Sequence, residues 1–241
     1  MNDLIVKNVQ RDLAVLSTAD NYLKFQFEKI KPFFGKRIIE FGAGTGNLSR
    51  RIIKEKPEFL GLIEKEKTFC RELNKHFSGN NKVEILNFNL ENIAHNYNLL
   101  KSKKIDTIIA VNVLEHIKND LKCLTVSSRL IKERGKIIFI VPAGKLLYSE
   151  LDKNYGHFRR YSKAMLKNYA QELNLSLIKN EYFNIFGWAG WLIFAKMLKV
   201  QKIHHTSLSL FNKLLPLLDK VESIIPKVPF GLSLIGVFKK Y

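Results

Sequence analysis

Cysteine is scarce in this chain. The two present, Cys70 and Cys123, stand alone without a C-x-x-C spacing, which excludes a disulfide framework and offers no zinc site. Unpaired thiols of this kind fit a reducing compartment, so a cytoplasmic protein is expected. The opening residues lack the succession of charge, apolar stretch and small residues that marks a secretory leader, and none is expected. A long apolar run is missing too. The strongest, NIFGWAGWLIFAKML at 184–198, carries Asn184 and Lys196 and falls short of the about 20 apolar residues that a membrane span requires. Repeats and low-complexity tracts are absent. Acidic residues are few: 22 Asp and Glu stand against 40 Lys and Arg, a net charge of +18. That imbalance attracts phosphate-bearing partners, whether nucleic acid, an anionic membrane surface or a phosphorylated substrate. The lysines are spread over the whole chain, however, and a lysine-rich composition accounts for the charge equally well.

What is present suits one substantial core. In 241 residues, 46% are hydrophobic and 11% aromatic, which excludes a disordered protein and favours a single domain with an elaboration. Short β-branched or aromatic runs bounded by turns predict strands at 37–41, 59–64, 82–88, 106–112 and 135–141. Between them, apolar residues recur every three to four positions: Leu48, Ile52 and Ile53, then Phe69, Leu73 and Phe77, then Ile117, Leu121 and Leu124. Alternating strands and helices give an α/β, doubly wound, Rossmann-like parallel sheet. A further helix is expected at 162–173, with Ser162 as a possible N-cap. Two last strands, 175–183 and 233–240, would pair antiparallel at the sheet edge.

The domain plan that follows is an N-terminal helical cap (1–35), a core (36–183 and 229–241) and an excursion (184–228). In the excursion Leu208, Phe211, Leu215 and Leu218 form a helical stripe opposite Lys213 and Lys220, ended by Pro226 and Pro229. It reads as a helical lid packed on its own domain. The alternative is an amphipathic surface resting on anionic lipid.

The segment RIIEFGAGTGNLSRRI (37–52) places Gly42, Gly44 and Gly46 after the first strand. The spacing differs from the dinucleotide fingerprint, whose third glycine follows the second by three. Glu40, just before the loop, is a poor neighbour for phosphate and a good one for an amino-bearing ligand. Glu64 closes the second strand, where an acid can accept hydrogen bonds from both ribose hydroxyls.

These residues, with the run DTIIAVNVLEHI at 106–117, resemble the class I S-adenosylmethionine-dependent methyltransferases. A bacterial subgroup is similar almost end to end, through ADNYLKF (19–25), VPA (141–143), GHFRRYS (156–162), an FN..GW segment (183–188) and GLSLIGVF (231–238). The resemblance implies the seven-stranded fold of that class and S-adenosylmethionine as cofactor, with S-adenosylhomocysteine as product. It implies that Gly42, Ala43, Gly44 and Gly46 line the methionine part, that Glu40 holds the amino group, and that Glu64 clamps the ribose, beside Tyr22 and Lys65. Asn89 stands where the family usually has an aspartate on the adenine amino group; its carbonyl can still accept that bond. Leu90 would contact adenine, and Asn112 with Val113 would floor the site. For Asn47 and Ser49 a helix-cap role is preferred.

Methyl transfer from a sulfonium is an in-line displacement with an activated leaving group, and alignment alone can contribute roughly 7 to 11 kcal/mol. For a hydroxyl acceptor a general base adds roughly 10² to 10⁴-fold. His116 and His157 are the candidates, with Tyr161 beside them; a structural histidine capping the next helix is an equal reading for His116. Arg159, Arg160 and Tyr161 fit an anionic acceptor, and Tyr148 and Trp188 complete the substrate set. The stretch VLEHI is similar to the ExxEH of metal-dependent relatives, but Asn112 occupies the first acid position and leaves only Glu115 and His116. No metal is therefore expected. The acceptor is expected to be a small or lipid-linked molecule methylated on oxygen or nitrogen, and the protein a monomer or homodimer; peripheral contact with anionic membrane through 184–228 is the alternative to the packed lid. Nucleic acid is the rival acceptor, disfavoured because no N/D-P-P-aromatic run follows strand four; a catalytically idle cofactor-binding partner is the third reading.

Overall fold

A computed structural model of the chain describes residues 18–198, 205–225 and 228–241. Residues 1–17 of the expected N-terminal cap, and Pro226, lie outside the described residues. All seven expected strands are present: β1 (Arg37–Phe41), β2 (Phe59–Glu64), β3 (Val83–Asn87), β4 (Thr107–Val111), β5 (Lys136–Pro142), β6 (Ser176–Phe183) and β7 (Ser233–Lys239). They form one sheet in the order β3-β2-β1-β4-β5-β7-β6. The first five are parallel. β7 runs antiparallel between β5 and β6, at the edge where the last two strands were expected to meet.

The sheet is buried on both faces, which is why its strands read as continuous apolar runs rather than alternating ones. One face carries Ile39, Phe41, Ile63, Ile108, Ile137 and Phe139. The other carries Ile38, Leu60, Leu62, Ile109, Ile138 and Ile140, as the two-residue period of a strand requires. Inside β7, glycine is demanded by packing: a Cβ on Gly236 would meet the Phe139 ring at 2.3 Å.

The helices are α1 (Asp20–Ile30), α2 (Ser49–Ile52), α3 (Lys67–His76), α4 (Tyr97–Ser102), α5 (Asp120–Leu130), α6 (Glu150–Asn154), α7 (Lys163–Glu172), α8 (Ile185–Trp191) and α9 (His205–Ser223). The expected helix after β1 is a single turn, α2, that tightens into a 3-10 turn at Ile53–Glu55. Ser162 does cap α7, accepting from Met165 N–H at 3.2 Å. His116 does not cap the helix after β4; it sits in a 3-10 turn (Leu114–His116), and Asn119 caps α5, accepting from Lys122 N–H.

The excursion folds back on the domain. α8 continues as a π-helical stretch, Leu192–Met197, and α9 lies against α1, where Asn212 accepts from Tyr22 N–H at 3.0 Å and from the Asn21 amide at 2.9 Å. The buried Glu222 carboxylate receives the N–H groups of Asn184 (2.7 Å) and Ile185 (2.9 Å), which fixes the start of α8. Among the described residues no helix is long and apolar enough to cross a membrane.

Candidate active site

The carboxyl ends of β1, β2 and β4 open onto a cavity of about 780 Å³, roofed by α1, α8 and α9. This is where a doubly wound sheet reverses its strand order and binds ligands. Gly42, Gly44 and Gly46 all have positive φ (64°, 52° and 78°), a backbone that a side chain would strain. A Cβ on Gly42 would also collide with Val113 at 2.7 Å, so the loop lies directly on the floor after β4. Gly44 N–H donates to Glu64 Oε2 at 2.8 Å and Glu66 N–H to Glu64 Oε1 at 2.9 Å, so both oxygens are aimed by backbone and keep lone pairs for a diol.

Glu40 is buried at the cavity wall, with Ser49 Oγ donating to its Oε2 at 2.6 Å. Burial pushes its carboxyl up to about 8, against the opposing pull of Ser49. A carboxylate starved of solvent in this way is a receptor for a cation. Tyr22, Ala43, Lys65, Asn89, Leu90, Asn112 and Val113 also line the cavity. Asn89 has half its accepting capacity engaged, since its side-chain oxygen takes Glu91 N–H at 3.0 Å. Asn112 holds φ 54° at the end of β4, a strained setting of the kind that collects at functional sites.

Two expectations at this end change. Gly46 is off the cavity: its would-be Cβ meets Leu73 of α3 at 2.8 Å, so it serves helix packing. Ser49 and Asn47 are not caps. Ser49 spends its hydroxyl on Glu40, and Asn47 lines the cavity with its amide on Thr45 Oγ1.

The far end of the cavity holds Glu115, His116, His157 and Arg160 beside Phe186, Trp191 and Phe194. His157 Nδ1 lies 2.8 Å from Oδ1 of Asp152, a fully buried carboxylate. Burial alone would raise Asp152, but His157 and Arg160 together hold it below the usual range. An ionised carboxylate only accepts, so Nδ1 carries the proton and Nε2 is left as the basic atom. Asp152 is itself fixed by Ser149, whose N–H and Oγ donate to Oδ2 at 2.9 and 3.2 Å in a capping box at the start of α6. Arg160 Nε donates to the same carboxylate at 2.9 Å, and its guanidinium stacks on Trp191 at 4.5 Å.

His116 packs edge-on against His157, ring centroids 4.8 Å apart. Burial, then the nearby His157 and Lys65, depress its imidazole to about 3, so it is neutral at physiological pH. Burial raises Glu115 to about 7, and its Oε2 has no hydrogen-bond partner. The ligand atoms of Glu115, His116 and His157 all lie within 4.8 Å of one another. The expectation of no metal counted two such groups in the sequence; the fold adds a third.

Four residues expected at the acceptor are placed elsewhere. Tyr161 is fully buried and donates to Asp120 Oδ2 at 2.7 Å; burial and then Asp120 push its phenol far above the tyrosine range, so it is no proton shuttle. Arg159 pairs with the same Asp120 at 2.7 Å and caps Ile117 C=O. Flanking Arg160, these two side chains point to the opposite side of the segment. Tyr148 donates to His157 C=O at 2.8 Å, bracing the loop from behind. Trp188 stacks on Phe230 outside the cavity, and Trp191, three residues on, takes the place foreseen for it. Sequence reasoning missed Asp152 and Trp191. The S-x-x-D spacing of 149–152 is a helix-start pattern, and nothing in it announces a partner for His157.

Residues 9–180 match the family described as Methyltransferase domain. A ubiquinone biosynthesis O-methyltransferase from Vibrio atlanticus is 25% identical over 134 residues, 55% of this chain and 51% of that protein, so the chain spans about half the length of this relative. One from Actinobacillus pleuropneumoniae is 23% identical over 181 residues, covering 68% of this chain and 77% of the relative. A solved SAM-dependent methyltransferase from Thermotoga maritima superposes over 100% of both chains with a TM-score of 0.65 at 15% identity, which speaks for the fold. The cavity suits the cofactor of such proteins: a glycine-rich loop, a pair of carboxylate oxygens for a diol and a buried carboxylate awaiting a cation. The family match extends over well more than half of the chain, which therefore belongs to the class I S-adenosylmethionine-dependent methyltransferases, with S-adenosylmethionine as cofactor.

Proposed function

We propose that the protein methylates a hydroxyl oxygen on a small or lipid-linked acceptor with an apolar body, using His157 as general base. The observation that carries this is the Asp152–His157 pair at 2.8 Å, which engages Nδ1 and leaves Nε2 as the ring nitrogen to take a proton, on a residue that lines the cavity. S-adenosylmethionine, when bound, supplies an electrophilic methyl group on an already charged sulfur. Glu64 would hold its ribose hydroxyls and Glu40 its amino group. His157 would receive the hydroxyl proton as the oxygen–carbon bond forms, and the buried Asp152 carboxylate would stabilise the resulting imidazolium. Phe186, Trp191 and Phe194 give the acceptor an apolar berth. The relatives named as O-methyltransferases support oxygen as the methylated atom. Incubating protein and isotopically labelled cofactor with metabolite and lipid extracts, followed by mass spectrometry, tests the proposal; label only on nitrogen or carbon would refute it.

A second reading is favoured by the unpartnered Glu115 Oε2 beside the two imidazoles. Three such donors could hold a divalent transition ion, whose charge would lower the acceptor hydroxyl's pKa in place of a base. Asp152 on His157 Nδ1 is then the outer carboxylate that such sites use to orient a ligand. Turnover that is lost in EDTA and restored by one metal would select this reading; turnover indifferent to chelation would select the base.

A further inference from the structure

The lid helix α9 is apolar on two sides. Its inner stripe, with Leu208 and Phe211 on the cavity and Leu215 buried, faces the domain. Its outer stripe is Leu210, Leu214, Leu217 and Val221, continued by Ile224 just past the helix end, all between 44% and 79% exposed. At about 100° per residue these five fall within an arc of roughly 80°. They make an apolar ridge along one side of the helix, and packing on the domain does not explain it.

Charge tells what covers this ridge. Lys213 and Lys220 both lie along one edge of it, and neither pairs with a described acid. The two acids of the excursion are committed elsewhere: Asp219 pairs with Lys29 at 3.7 Å, and Glu222 is buried on the N–H groups of Asn184 and Ile185. Six lysines and these two acids make up the charge of 184–228, in a chain of net charge +18. A second copy laid on the ridge would offer these lysines no uncommitted acid from its own excursion. An anionic, apolar-cored surface answers both features. Phe194 and Leu198, elsewhere on the lid, are likewise apolar and exposed, and both line the cavity.

We infer that the outer face of α9 docks the protein on an anionic lipid bilayer, lying in the interface with Lys213 and Lys220 at the headgroups. No described helix is both long and apolar enough to span, and the contact proposed is peripheral. Each lysine near an anionic surface contributes about five-fold in affinity, so Lys213→Gln with Lys220→Gln weakens binding about 25-fold. Losing two interfacial leucines costs at least roughly ten-fold.

The test is flotation of the full-length protein with phosphatidylglycerol-containing vesicles and with phosphatidylcholine vesicles, at low and high salt. The expected result is flotation with the anionic vesicles, reduced by salt, by the lysine pair and by Leu210→Gln with Leu217→Gln. Cofactor titration of each variant confirms its fold, because none of the four residues lines the cavity. Absence of flotation with anionic vesicles, or equal flotation of wild type and both variants, would overturn the inference. So would a lipid-free dimer, seen by light scattering, that the leucine pair dissociates. The assay needs no acceptor, so its outcome is separate from that of oxygen methylation.

Discussion

Removing the charge of Glu40 gives a quantitative handle on cofactor binding. With its carboxyl raised to about 8, Glu40 is about nine-tenths protonated at pH 7 in the empty cavity. An incoming ammonium favours the carboxylate, so binding expels a proton. Below pH 8 each pH unit then costs about 1.4 kcal/mol, or ten-fold in affinity. The ligand's own α-amino group titrates near 8, so the gain stops there and affinity passes through a maximum. Between pH 6 and pH 8 the wild type should gain about 25-fold in affinity, since at pH 8 each of the two groups is about half in its binding form. Glu40→Gln should flatten this slope, binding more than ten-fold weaker than wild type at pH 8 and comparably at pH 6. Isothermal titration at pH 6, 7 and 8, in buffers of differing ionisation heat, reads affinity and proton release together. Release of nearly one proton at pH 7, absent in the variant, is the expected signature. A wild-type affinity flat across this range, or an unchanged slope in Glu40→Gln, would refute the reasoning.

Three further outcomes follow. His157→Asn should lower kcat by roughly 10² to 10⁴-fold with cofactor affinity unchanged in titration, and Asp152→Asn should act in the same direction by releasing the tautomer. Tyr161→Phe should leave kcat near wild type yet cost about 1 to 3 kcal/mol of stability in urea unfolding, because it strips a hydrogen bond from the buried Asp120. The cofactor-free protein should lose stability as pH rises from 6.5 to 8. Glu40 and Glu115, raised to about 8 and about 7, stay protonated when folded while the unfolded chain has already released those protons. Rising pH therefore favours the unfolded state by up to about 1.4 kcal/mol per unit for each group until its folded pKa is passed. His116, lowered to about 3, acts in the opposite direction only below about 6.5, outside this window. Thermal melts across the range check the sign, and saturating cofactor should remove the Glu40 share of the slope by ionising that carboxyl, leaving the Glu115 share.

The sheet was legible because burial on both faces writes each strand as an uninterrupted apolar run, and Gly42, Gly44, Glu40 and Glu64 were legible because the cofactor loop is local in sequence. The acceptor end was not. GHFRRY announces basic and aromatic chemistry, but only the fold decides that Arg160 faces the cavity while Arg159 and Tyr161 turn to Asp120. Residue type gives the chemistry and not the side. Trp188 and Trp191 are a similar case, separated by about 60° around one helix. Asp152 lay hidden because its pairing with His157 depends on how α6 and the following loop are brought together. The outer ridge of α9 escaped notice beside the inner stripe, since a helix apolar over most of its circumference reads as core until packing shows which side is left bare.

The most direct test of oxygen methylation by His157 is the transfer of labelled methyl from S-adenosylmethionine to extract-derived acceptors, comparing wild type with His157→Asn under chelation. One wild-type product labelled on oxygen is expected, persisting in EDTA and nearly lost in the variant. Label retained at the wild-type rate by His157→Asn would contradict it.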